Sequence, residues 1–345
     1  MHPTESHREG RTVSGQLGAV TAREPAVRTV GLTKSYRHPW TGKVVPGVED
    51  LNLEVQRGEV MGCLGPNGAG KTTTLKLLTG LLKPTRGRAW LLGEPISRVE
   101  SRRRLGFLPE QPYFYEYLSG IEYLEFVGQL SGLQAQDAHE RARYWLGRVG
   151  LGARPRLVLR KYSKGMLQRL GLGAALMHDP ELLILDEPMS GLDPFGRRDV
   201  RDLIQEQRER GATVLFSSHI LPDVETLCDR VAIIMAGRLT RVATVGEIVS
   251  GSRQRVEIRC TGVPLLEIGP ELHDSLERRD HTHETVFLLD DDARLNQVID
   301  WLLRKGAQIR AVSPQRTSLE DLFLDAAEAR ADAKADARSD DRRTA

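Results

Sequence analysis

The chain has 345 residues, and its 49 basic and 47 acidic side chains leave a formal net charge of +2. A 40% hydrophobic content suits one large globular domain or two smaller ones, and it excludes a disordered or fibrous chain. The near-neutral balance gives no electrostatic case for a nucleic-acid partner, and no run approaches the ~18 apolar residues of a membrane span.

Residues 1–25 are polar, and the start around His7, Arg8, Glu9 and Arg11 lacks the apolar core of a secretory signal. A flexible tail is expected there. Val60-Met61-Gly62-Cys63-Leu64 is a short apolar run ended by a glycine-rich loop, which suits a strand buried on both faces. A helix is expected from Thr72 to Thr79, with Leu75, Leu77 and Leu78 on its apolar side and Gly80 as the stop. Tyr117 to about Leu176 has helical spacing without a strong strand signal. Leu182–Leu185, Thr213–Phe216 and Val231–Met235 are further buried-strand candidates, separated by helical patterns at Arg197–Arg210 and Leu221–Cys228. This alternation predicts a parallel sheet with helices on its faces. From Gly251 the texture changes. Gln254–Arg259 and Thr285–Leu289 read as strands and Leu295–Leu303 as an amphipathic helix, together a small α+β appendix. Ala326–Ala345 holds no large apolar side chain and is expected to fray. The expected division is therefore a tail at 1–25, an α/β domain at 26–247 with a helical insertion at about 112–178, an accessory domain at 248–325 and a second tail at 326–345. Cys63, Cys228 and Cys260 are scattered, with no CxxC, which fits buried thiols in a reducing compartment rather than a disulfide framework.

The chemistry starts at Gly65-Pro66-Asn67-Gly68-Ala69-Gly70-Lys71-Thr72, the pattern G-x-x-x-x-G-K-[ST] of a phosphate-binding loop. Glycines let backbone N–H groups turn inward around phosphate oxygens, and the following helix aims its positive end at the same anion. Lys71 supplies a point charge to the β and γ phosphates, and the Thr72 hydroxyl is the expected magnesium ligand. At average composition the pattern arises by chance about once in 10⁴ to 10⁵ positions, so a random match in this chain is about a 1% event. Leu182–Leu185 runs into Asp186-Glu187. An acidic pair after a strand is ordinarily a solvated turn or a helix cap. With a phosphate loop upstream, Asp186 is expected to hold magnesium and Glu187 to orient or deprotonate the attacking water.

Glu187 continues as Pro188-Met189-Ser190-Gly191-Leu192-Asp193-Pro194. Upstream stand Tyr162-Ser163-Lys164-Gly165-Met166 and Gln168-Arg169-Leu170, and downstream stands Ser217-Ser218-His219. In order and spacing these resemble the motifs of ABC transporter ATPase subunits, over Val27 to about Glu247, roughly two thirds of the chain. The resemblance implies a P-loop ATPase core with an antiparallel β subdomain and a helical insertion. It implies that Ser163 and Gly165 touch the γ-phosphate held by a second copy, although Lys164 and Met166 depart from the usual Leu-Ser-Gly-Gly-Gln. It makes Asp193 a dimer-contact residue, His219 a γ-phosphate switch and Tyr36 an adenine-stacking aromatic. Each has a blander reading: a helix cap for Ser163 and Asp193, a structural histidine, a half-buried surface tyrosine. The family's usual Gln falls at Glu110, with Gln111 one place late, so either residue is a candidate for the magnesium and water contact. The nucleotide-binding set so implied is Tyr36, Gly65, Pro66, Asn67, Gly68, Ala69, Gly70, Lys71, Thr72, Thr73, Glu110, Gln111, Ser163, Gly165 and Asp193. Lys71, Glu187 and His219 are the catalytic candidates, and Thr72, Asp186 and Glu110 the metal candidates.

One nucleotide unit per chain implies a head-to-tail homodimer around two ATP molecules. It also implies a membrane-spanning permease, met at the cytoplasmic face of the membrane. Tyr113, Phe114, Tyr115 and Tyr117 either receive that partner or pack the insertion's own core. The tail motif Leu319-Glu320-Asp321-Leu322-Phe323-Leu324 resembles the ending of ATPase subunits of bacterial exporters with separate membrane chains. One rival is a non-hydrolysing nucleotide-dependent scaffold, against which the presence of both Lys71 and Glu187 argues. The other is a soluble ABC ATPase in a non-transport process. Its translation forms usually carry two nucleotide units and its repair forms long coiled coils, and this sequence has neither. The transported substance is not legible: drug, lipid, metal-linked and polysaccharide export all remain open.

Overall fold

The computed structural model describes residues 24–37, 40–247, 255–262, 276–280, 284–289 and 294–315. The expected tails, apart from Glu24 and Pro25, and the Leu319–Leu324 motif lie outside the described residues.

The described chain opens with β1 (Val27–Arg37), β2 (Val44–Leu51) and β3 (Glu54–Val55). Strand β4 (Val60–Leu64) feeds the glycine loop and α1 (Lys71–Leu78). Strands β5 (Arg86–Leu91) and β6 (Glu94–Pro95) follow, then β7 (Leu105–Leu108). The insertion contributes α2 (Gly120–Leu130), α3 (Ala135–Arg148) and α4 (Lys164–Ala175). The chain then alternates through β8 (Leu182–Asp186), α5 (Pro194–Glu209), β9 (Thr213–Ser218), α6 (Leu221–Leu227), β10 (Arg230–Met235) and β11 (Arg238–Thr244). Beyond it lie β12 (Arg255–Thr261), β13 (Leu276–Asp280), β14 (Thr285–Leu289), α7 (Leu295–Arg304) and β15 (Gln308–Gln315).

The central sheet runs β11-β10-β4-β9-β8-β7. It is parallel from β10 to β7, with β11 added antiparallel at the edge. Its strands read as unbroken apolar runs because both faces are buried. Alternate residues enter different clusters. Val60, Leu64, Leu183, Leu185, Val214 and Phe216 join the insertion's Trp145 and Leu170 on one face. Met61, Cys63, Leu182, Ile184 and Leu215 join Leu75 and Leu78 of α1 on the other, together with Val27, Leu32 and Val48 from the antiparallel sheet. That second sheet runs β2-β1-β5-β6, with β3 also paired to β1. In the third, ordered β13-β14-β12-β15, Ile258 and Phe287 pack against Val298 and Leu302 of α7. It adds β13 and β15 to the two strands expected there.

Element starts follow local capping. Helix α5 begins at Pro194 rather than the expected Arg197, because the Asp193 carboxylate accepts the Gly196 N–H at 2.7 Å and Pro194 fills the first helical position. Helix α2 begins after Ser119, whose backbone N–H donates to Glu122 at 2.7 Å in a capping box. That bond and the Ser119 hydroxyl hold the Glu122 carboxyl below its ordinary range, the hydroxyl contributing most.

Trp145 is 2% exposed and sits in the cluster shared by the insertion and the central sheet. Trp145→Ala is expected to cost about 3–5 kcal/mol, read as a lower urea midpoint, with insertion and sheet still unfolding in one transition.

Candidate functional site

The parallel strands deliver the candidate residues to one edge, beyond their C-terminal ends. Strand β4 ends at Leu64 and the loop begins at Gly65; β8 ends at Asp186; β9 ends at Ser218, just before His219. Register places Asp186 opposite Ser217 and Leu64 opposite Ser218. The loop has room for no side chain at two glycines. A Cβ on Gly65 would lie 2.2 Å from the Ile234 carbonyl oxygen. Gly70 has φ +105°, and its Cβ would lie 2.6 Å from the Gly47 carbonyl oxygen.

Lys71 is 7% exposed. Its ammonium donates to the carbonyls of Gly65 at 2.6 Å and Pro66 at 3.3 Å, and it lies 3.8 Å from Glu187 Oε1. Asp186 is fully buried. Its Oδ1 accepts from the Ser217 hydroxyl at 2.6 Å and the Thr72 hydroxyl at 3.2 Å, while Oδ2 is buried with no hydrogen-bond partner. A buried carboxylate oxygen without a donor, beside a threonine hydroxyl, is the hard-oxygen set that suits a small divalent cation. Glu187 takes φ +51°, rare for a side chain of its kind. Its N–H donates to Ser217 Oγ at 2.8 Å, and its Oε2 meets His219 Nδ1 at 2.9 Å.

Lys71, Thr72, Glu187 and His219 line one cleft of about 400 Å³ together with Gly47, Asn67 to Gly70, Thr73, Glu110 and Ser190, whereas Gly65, Pro66 and the buried Asp186 and Ser217 are not among its lining residues. Of the two alternatives left open, Glu110 lines the cleft and Gln111 is not among its lining residues. The Tyr36 hydroxyl lies 3.5 Å from Thr73 Oγ1, beside the loop, with 41% of the residue exposed. Ser163, Gly165 and Asp193 do not line the cleft. Ser163 caps α4 by accepting the Met166 N–H at 3.2 Å. The aromatic group divides. Phe114 packs on the core and meets Tyr123 edge-on at 4.9 Å, whereas Tyr113 and Tyr117 are 96% and 85% exposed.

Sequence reasoning gave no role to Ser217, Ser190, Gly47 or Gln168. Ser217 was visible as the first residue of Ser-Ser-His, and a hydroxyl one strand from a buried acid was its only signal. Gly47 reaches the cleft through β2, with no local pattern to announce it. Asp223 joins α5 to α6 through Arg201 at 3.4 Å. Burial pushes its carboxyl up, against the pull of Arg197, Arg201 and His219. All three cysteines are free, and burial, reinforced by Asp186 and opposed by Lys71, pushes the Cys63 thiol up to about 12.

The family model described as ABC transporter matches residues 48–190. An ABC transporter ATP-binding protein of Synechocystis sp. is 39% identical over 86% of this chain and 83% of its own. The bacitracin transport ATP-binding protein BcrA of Bacillus licheniformis is 35% identical over 86% and 96% respectively. Among solved structures, an ATP-binding subunit of an ABC transporter aligns with a TM-score of 0.59 at 32% identity, over 66% of this chain and 92% of that one. A dimeric ATP-binding cassette bound to ADP and phosphate aligns with a TM-score of 0.59 over 64% of this chain and 98% of that one; at 22% identity it shares the fold.

Two outcomes test this geometry. Gly70→Ala forces a Cβ against the Gly47 carbonyl and is expected to lower ATP turnover about 100-fold or more in a steady-state phosphate-release assay. Cys63 is expected to resist iodoacetamide at pH 8.5 in the folded protein and to react once urea unfolds it, read by mass spectrometry, because only the thiolate reacts.

Proposed function

The chain belongs to the ABC transporter ATP-binding family, and from that membership we propose a motor subunit in which two copies close head to tail around two ATP molecules and drive a membrane-spanning permease. The chain is an ATPase. ATP enters the cleft with its phosphates on the loop amides and Lys71, and its adenine against Tyr36. Thr72 and Asp186 would hold magnesium, with Glu110 lining the same cleft, and the ion would supply charge neutralisation to the phosphates. Glu187 orients the attacking water, and His219 steadies that carboxylate from the far side. Catalysis by this set is positioning plus charge stabilisation.

The observation that carries the proposal is the division of the candidate residues. Lys71, Glu110, Glu187 and His219 line one cleft, while Ser163, Gly165 and Asp193 stand outside it on α4 and before α5. A second copy supplies the missing half by presenting its own Ser163 and Gly165 to the γ-phosphate. The capped start of α4 is suited to an anion, since its first N–H groups point outward. Closure around the γ-phosphate and opening after hydrolysis form the power stroke.

The permease docks a cytoplasmic helix against the surface of Tyr113, Tyr115 and Tyr117, 96%, 61% and 85% exposed. No helix among the described residues is long and apolar enough to cross a membrane, in keeping with a peripheral subunit at the cytoplasmic face. Export is the direction favoured by the Leu319–Leu324 motif, and relatives named for bacitracin transport support a transport role. We assign the β12–β15 sheet with α7 to the accessory domain that the sequence bounds at 248–325.

Glu187→Gln keeps the binding groups and removes the base. It is expected to elute as a dimer from gel filtration with ATP and magnesium and to lose at least about 100-fold in turnover. Elution only as a monomer would sink the shared-site reading.

A further inference from the structure

We propose that Gln168 is a positioning residue for hydrolysis, its buried amide clamping the turn that carries Glu187 and tying that turn to the helix capped by Ser163. This rests on the reading of Glu187 as the group that activates water.

Gln168 lies in α4 and is 3% exposed. Its Nε2 donates to the Glu187 carbonyl at 3.2 Å and to the Pro188 carbonyl at 3.3 Å. These are consecutive carbonyls in a turn where Glu187 itself has φ +51°. On the other side, the Glu187 N–H donates to Ser217 Oγ at 2.8 Å. The peptide groups flanking Glu187 are therefore held by side chains from two separate elements, α4 and β9. A rarely populated backbone conformation persists only when its surroundings determine it this fully. The choice of side chain follows from the task. Two adjacent buried acceptors call for two donors on one neutral nitrogen, which a primary amide provides. A lysine in that place would bring a second buried cation close to Lys71.

The grip extends along the whole turn. Arg169, the next residue, lies 3.2 Å from Asp199 and 4.0 Å from Asp193. A Cβ on Gly191 would lie 3.1 Å from the Lys164 side chain, so α4 also borders the middle of the turn. Ser163 precedes Gln168 by five residues, about 7.5 Å along a helix axis. One rigid rod therefore links the group that meets the partner's nucleotide to the backbone of this chain's own general base. In the closed dimer, the grip of each copy on its mate's ATP steadies its own Glu187.

The experiment measures Mg·ATP turnover of the full-length chain carrying Gln168→Met, which keeps the length and removes both donors, and Gln168→Glu, which keeps the shape and offers acceptors. Both are expected to lower kcat about 10- to 100-fold with KM for ATP within about twofold of native, because the nucleotide contacts are untouched. The decisive readout is a double-mutant cycle. With Glu187→Gln in place there is no base to position, so adding Gln168→Met changes the residual single-turnover rate by less than about twofold. A kcat within twofold of native in both single variants overturns the proposal, as does a full additional loss in the double variant. Native-like turnover of Glu187→Gln alone would instead overturn the reading of Glu187, separating the two failures.

Discussion

The site depends on one buried charge. Asp186 ends β8 with no exposed surface, and a carboxylate in that position is costly unless its oxygens find partners. Oδ1 has two, the hydroxyls of Ser217 and Thr72, and these come from β9 and from the start of α1. Thus one atom draws the glycine loop's helix, β8 and β9 into a fixed relation. Oδ2 has no donor, and a divalent cation would complete it. The register of the central sheet makes this arrangement unique. Sliding β9 by one residue would exchange Ser217 for a neighbour pointing to the opposite face, and it would put the strand's apolar residues into the wrong clusters.

Glu187 follows at once, and its position conflicts with ordinary backbone preference. Strand β8 must stop, and the chain must turn so that one carboxylate faces inward and the next faces the cleft. A positive φ achieves that turn and is unfavourable for a residue with a Cβ. The compensation is dense: Ser217 on the N–H, Gln168 on the carbonyl, His219 and Lys71 around the carboxylate. Ser217 serves both acids, donating to Asp186 through its hydroxyl hydrogen and accepting from Glu187 on its oxygen. A residue without a hydroxyl there would lose this double role, so the hydroxyl is part of the geometry.

How far the sequence disclosed this follows from burial and locality. Strands β4, β8, β9 and β10 stood out because two buried faces produce unbroken apolar runs. The phosphate loop and the acidic pair were legible because their chemistry is local in the chain. Strand β1 was not identified individually. Gly31 sits at φ +59° within it and its pairing with β2 is interrupted by register shifts, so the alternation is blurred. The supports of Glu187 were hidden for another reason. Gln168 and Ser217 lie 19 and 30 residues from it, and only the folded register brings them together. The aromatic group needed coordinates as well, since Phe114 turns into the core while its neighbours Tyr113 and Tyr117 face outward. Asp193 was read both as a cap and as a contact residue; its cap role fixes where α5 begins.

The unusual start of α4 is understandable in the same terms. At the third and fifth places of the motif stand Lys164 and Met166, where the family usually has Gly and Gln. The cap formed by Ser163 uses the backbone N–H of Met166, so the side chain at that place is free to vary without loss of the cap. Met166 turns its side chain towards the core cluster, which adds apolar contact under the helix start. Lys164 lies along Gly191, whose missing side chain and φ of +73° make room for the lysine stem. Both departures therefore fasten the helix to its own chain while Ser163 and Gly165 keep the backbone face that a second copy would meet. A helix held this firmly from behind can carry a contact made at its tip back to the turn beneath it, because neither end has slack to absorb the displacement.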